Sequence, residues 1–150
     1  MTEIILQLVA SFLGAMGFSL LFNVEKKHLI PCCLGGLLTW TVYLLGARLL
    51  HLPELASAAL SAGACQIYAE LMARALKAPA TTFYIPALVP LIPGGSLYRT
   101  MDAAIGKDWV AFRHYGSSTL QVAMGIAVGL SFVAAVIHIS RVSGKVGAKK

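Results

Sequence analysis

Between Thr81 and Tyr98 the chain reads TTFYIPALVPLIPGGSLY, with Pro86, Pro90 and Pro93 followed by Gly94, Gly95 and Ser96, and Arg99 just beyond. Each internal proline removes an N–H donor and crowds the preceding turn. The run therefore predicts a helix interrupted within apolar sequence, with a second short helix starting near Ser96 and running toward Ile105. A half-helix start offers free N–H groups and a positive dipole end to an anion. Gly94 and Gly95 let a ligand approach the backbone, and Ser96 supplies an N-cap hydroxyl. Arg99 adds a cation suited to a carboxylate. Pro93, Gly94, Gly95, Ser96 and Arg99 are thus the candidate carboxylate-binding residues. A tight bend between two helices, with Arg99 paired to Asp102, would use the same residues.

Two further polar residues sit in apolar surroundings. Ala59, Gly63, Gln66 and Glu70 share one helix face, small at one end and polar at the other. An amide facing hydrocarbon is left unsatisfied, so Gln66 should face protein or a water-filled cavity, as a substrate contact or an interhelical partner. Glu70 has Arg74 four residues on, which predicts a surface pair. A proton-coupling role would require its desolvation. His28, His51, His114 and His138 fall near the ends of apolar runs, where interfacial solvation accounts for them.

Other chemistries lack their residues. Cys32, Cys33 and Cys65 cannot all pair, and they read as small buried hydrophobes. No metal-ligand spacing, nucleophile elbow or phosphate-binding loop is present. The expectation is a non-enzyme without metal or cofactor.

The elements that must position these residues follow from composition. Of 150 residues, 58% are hydrophobic and 12% charged. That charged share is about half of what a water-soluble domain carries. The apolar residues also cluster into runs near the length that crosses a bilayer. The fold class is accordingly all-α, a single polytopic membrane bundle over 1–150. Spans are expected at approximately 4–22, 29–50, 53–73, 81–104 (the broken one) and 117–140.

Small-residue stripes at Ala10, Gly14 and Gly17, and at Gly125 and Gly129, predict close helix packing, and Gln121 shares the second stripe's face. Trp40 is too central for an interfacial belt and should pack inside the protein. Trp109, Phe112 and Tyr115 alternate with charges between Gly106 and Gly116, as in a headgroup-level connector.

The net charge of +6 lies in clusters between the apolar runs, which argues for orientation in a membrane and against nucleic acid. With five crossings and the N-terminus outside, Lys26, Lys27, Arg74, Lys77, Arg141, Lys145, Lys149 and Lys150 fall inside. Arg48, Arg99, Lys107 and Arg113 fall outside, a split of eight against four.

The stretch PALVPLIPGGSLY, from Pro86 to Tyr98, resembles the proline–glycine signature of the threonine/serine exporter family. Over nearly its full length the chain is similar to the short YjjB-type subunit of that family, which in the split form works beside a longer YjjP-type subunit. That resemblance implies secondary export of a small carboxylate metabolite across a bacterial inner membrane: succinate, or an amino acid such as threonine or serine. A membrane subunit that only assembles or stabilises a larger complex is the alternative.

Overall fold

The computed structural model describes residues 2–147, and side chains for residues 2–140. Among these residues the fold is all-helical, as expected from the sequence. Helix α1 covers Thr2–Leu21, and α2 covers Lys26–Leu44 and continues through a wider π turn, Leu45–Leu49. Helix α3 is Glu54–Leu76 and α4 is Ala80–Leu88. A 3-10 turn, Val89–Leu91, leads to α5, Gly94–Ile105, and α6 runs from Trp109 to Gly147.

Among the described residues three helices are long and apolar enough to cross a membrane, α1, α2 with its π turn, and α6; the bent pair α4–α5, taken as one broken span, makes a fourth. Helix α3 has the length, 23 residues, but its Ala, Ser and Gly content leaves it short of the others in apolarity. Its position explains this. Helices α2, α4 and α6 pack around it, so little of its surface needs to match lipid.

Inter-helix contacts give the chain path. Gly46 meets Ser57, the Ser61 hydroxyl donates to the Thr39 carbonyl, and the Tyr68 hydroxyl donates to the Pro31 carbonyl at 2.8 Å. Helices α2 and α3 are therefore antiparallel. Gly125 packs on Leu55 and Ala58, Gly129 on Ala59, and Gly63 on Val133, so α3 and α6 run parallel. Between them α4–α5 carries the chain back to the end where α3 began. There the Ser118 hydroxyl of α6 donates to Glu54 at 2.6 Å.

Lipid supplies no hydrophobic drive between helices, so close approach of small residues carries the packing. A Cβ on Gly35 would lie 2.8 Å from the Ala87 Cβ, and one on Gly36 would lie 2.5 Å from the Ala15 Cβ. Gly125 and Gly129 pack against α3 as their spacing indicates. The first stripe is corrected: α1 buries Ser11, Ala15 and Ser19 instead, and nothing lies within 4 Å of a Cβ on Gly14 or Gly17. The Ser11–Ala15–Ser19 row presents equally small side chains to α2, and the two hydroxyls bond their own helix carbonyls.

Cys32, Cys33 and Cys65 are free and buried, as expected. Trp40 is half-buried and stacked on Tyr43. Gln121 is exposed rather than held between helices. His51, His114 and His138 are exposed, whereas His28 is buried edge-on against Phe83. The aromatic connector is also corrected. Asp108 accepts the Val110 and Ala111 amides, both at 3.1 Å, so Trp109 already begins α6 and only residues 106–108 link the helices.

Candidate functional site

The fourth pass is broken where the prolines lie. Ala80–Leu91 and Gly94–Ile105 meet at an angle of 50°. Because Pro86 has no N–H, the Thr82 carbonyl loses its helical partner. The Cys32 thiol donates to that carbonyl instead, at 3.3 Å. Such substitution by a neighbouring helix is how a membrane helix tolerates an internal proline. Pro93 likewise has no amide to give, and the Ile92 amide turns back to Val89 at 3.2 Å.

Helix α5 begins at Gly94, two residues before the expected Ser96. Pro93 is its N-cap residue, and no side chain caps the end. Ser96 therefore lies inside the first turn, where its carbonyl accepts the Thr100 hydroxyl at 2.7 Å. The Gly94 amide bonds the Ile92 carbonyl at 2.7 Å and the Leu97 amide bonds Pro93 at 2.9 Å. Among the described hydrogen bonds outside the helices, the amides between them, Gly95 and Ser96, find no acceptor.

Gly94 and Gly95 are exposed, and a Cβ on either meets nothing within 4 Å. Neither has a positive φ. This chain's own fold thus makes no demand for glycine at either position. Arg99 is exposed, and its guanidinium lies over the Tyr115 ring, 5.4 Å from the centroid. The described ion pairs do not include one with Asp102.

A cavity of about 220 Å³ lies between α1, α2 and the 3-10 turn before the break, walled by Gln7, Ser11, Gly14, Trp40, Val89 and Pro90, among others. The Gln7 Oε1 and Trp40 Nε1 atoms are buried with no hydrogen-bond partner. Gln7 went unnoticed in the sequence because it is a lone amide in an apolar run. Its four-residue spacing to Ser11 is the signal that places both on one face.

A family model described as Threonine/Serine exporter, ThrE, matches residues 7–136. The chain belongs to the threonine/serine exporter family. No curated protein and no solved structure matches it. The family match and the apolar helices together make this exporter-family chain a membrane protein of the transporter kind.

The exporter-family chain does not gather all its candidate residues in one place. Helix α5 packs mainly on α6, while Gln66 and Glu70 belong to α3. Cys65 faces Ala87, Leu88 and Leu91 of the broken pass. Gln66 is about 100° further round the helix, on the side where Ala59 and Gly63 meet α6, and it is half-buried. Glu70 is buried, and Arg74 Nε donates to its Oε1 at 3.3 Å. The expected surface pair is one-sided, with Arg74 exposed and Glu70 inside.

Proposed function

We propose that this chain is one subunit of a secondary exporter that moves a small carboxylate metabolite out of the bacterial cytoplasm. The cargo is a dicarboxylate such as succinate, or an amino acid such as threonine or serine, and the partner is a longer YjjP-type membrane subunit. The reading is carried by the broken fourth pass, whose second half starts at two exposed glycines that the chain's own packing does not require. A glycine kept free of packing and of unusual φ serves whatever approaches from outside. In this reading a substrate carboxylate meets the Gly95 and Ser96 amides beside Pro93 and Gly94, and Arg99 leaves Tyr115 to pair with it. Gln66 is a substrate contact further along the path. Glu70, inside the bundle, takes part in proton coupling and exchanges its bond to Arg74 when it is protonated.

The test is efflux of radiolabelled succinate, threonine and serine from proteoliposomes holding this chain with its longer partner, at matched protein levels. Gly95→Val should abolish efflux while assembly is retained. Arg99→Lys keeps the charge but loses the planar fork, so it should weaken efflux, and Arg99→Gln should weaken it further. Wild-type efflux from Gly95→Val would make the break structural. Assembly with no efflux of any of the three substrates would make the chain an assembly subunit.

A further inference from the structure

At the end of the bundle where α3 finishes and α4 starts, a second cavity of about 450 Å³ opens between the α1–α2 turn and α4. It is more polar than the cavity at the break. Asn23, Glu25, His28, Thr81 and Thr82 contribute to its wall. Helix α4 is nine residues long and has no side-chain cap; its Thr82 amide bonds the Pro79 carbonyl at 3.1 Å, which leaves the Ala80 and Thr81 amides and the positive end of the helix dipole at its start. A helix start alone specifies no ligand.

His28 adds the independent observation. It is 4% exposed, it forms part of the cavity wall, and its Nε2 atom has no hydrogen-bond partner. Edge contact with Phe83, at 5.3 Å between centroids, holds the ring in place. Burying a ring nitrogen unpaired is costly, and a ligand in the cavity that bonds it recovers that cost. Basic residues flank the same end: Lys26 and Lys27 follow Glu25, and Lys77 precedes Ala78 of the wall. Glu25 is the opposing charge. Lys27 binds it at 2.6 Å and holds its carboxyl below the usual range, so it stays ionised.

We infer that this cavity is a loading site for the carboxylate of the exported metabolite, separate from the break and reached before it. The carboxylate sits on the first amides of α4 and the Thr81 and Thr82 hydroxyls, and His28 donates its Nε2–H to it. Helix α4 then leads from the loading site to the break at Val89–Leu91. Ionised Glu25 gives an ammonium group a place at the rim, so an amino acid and a dicarboxylate would sit in the cavity differently.

This inference takes its substrates from the exporter reading, and one experiment separates the two. Binding of radiolabelled succinate and of L-threonine is measured on the two-subunit complex in nanodiscs, alongside proteoliposome efflux. Gly95→Val should lose efflux together with binding at the break, yet keep the saturable binding at the His28 cavity. His28→Phe keeps the edge contact with Phe83 but loses the donor, so it should weaken that binding about tenfold or more. His28→Gln should recover part of the affinity. Thr81→Val, at an exposed position that folding does not need, should weaken it by about threefold. The radioligand that responds identifies the source of the carboxylate. If wild type exports but His28→Phe and Thr81→Val bind as wild type does, the loading site is overturned and the exporter reading stands. If wild type exports neither substrate yet binds one of them through His28, the exporter reading fails and the carboxylate site stands.

Discussion

A Cβ placed on Gly129 would fall on the Ala59 carbonyl oxygen, whereas one on Gly95 meets nothing within 4 Å. Both residues were legible in the sequence as glycines of interest, but their roles differ in kind. Gly129 is fixed by the backbone of a neighbouring helix, which cannot move aside as a flexible side chain can. Overpacking of this kind costs at least about 1–3 kcal/mol. Gly129→Leu should therefore lower the yield of monodisperse protein in mild detergent severalfold. Ala127→Leu, on an exposed face, should change it little. Equal, mild losses in size-exclusion profiles would mean that α6 does not pack on α3 through this glycine. The three cysteines offer a second check at the same scale, because all are buried. Maleimide labelling of the native protein should be slow and should become complete only on unfolding. Rapid labelling of Cys65 in the folded protein would contradict its burial against Ala87 and Leu88.

The elements themselves were largely readable from apolar runs and punctuation. Three prolines and two glycines announced the broken pass, and its second half ends at Ile105 as the sequence predicts. Helix starts were less legible, because they depend on which residue first takes helical backbone. Thus α5 begins at Gly94 and α6 at Trp109, where aromatic and charged residues had suggested a connector. Faces were least legible. Ala10–Gly14–Gly17 and Ser11–Ala15–Ser19 are rival stripes on one helix, and only the position of α2 selects between them.

The break makes its own prediction. Replacing Pro90 and Pro93 together with alanine restores two amides, so α4 and α5 should merge into a straighter helix. At about 1.5 Å per residue, straightening a 50° bend lengthens the path from 81 to 105 by about 3 Å. Spin labels at Thr81 and Ile105 should report that lengthening, with efflux falling in the same variant. An unchanged label distance would mean that neighbouring helices, not the prolines, impose the bend.

On the scale of the whole molecule, the chain passes five times between two ends of one bundle. Parallel packing of α3 and α6 requires the bent pair to return the full distance, which excludes a short re-entrant hairpin within this fold. Thr2 and the end of α6 therefore lie at opposite ends of the bundle. Helix α6, at 39 residues, extends about 58 Å, well beyond a hydrocarbon layer of about 30 Å. It therefore reaches beyond such a layer at one end or at both.

Lys26, Lys27, Arg74 and Lys77 occupy the end of the bundle where α6 finishes. Arg141 and Lys145 lie on the far part of α6, where side chains are not described, and Lys149 and Lys150 lie outside the described residues. The opposite end holds Arg48, Arg99, Lys107 and Arg113. Short basic segments are retained on the cytoplasmic side, so the tail should be inside and Thr2 outside. Single cysteines at Thr2 and Ala148, in a background lacking the native three, test this with an impermeant thiol reagent on intact cells. Thr2→Cys should label from outside, and Ala148→Cys only after permeabilisation. Labelling of both from one side would break the five-pass path. The reverse pattern would keep the path but turn the molecule over, placing the His28 cavity at the outer face, where it could not load cargo for export.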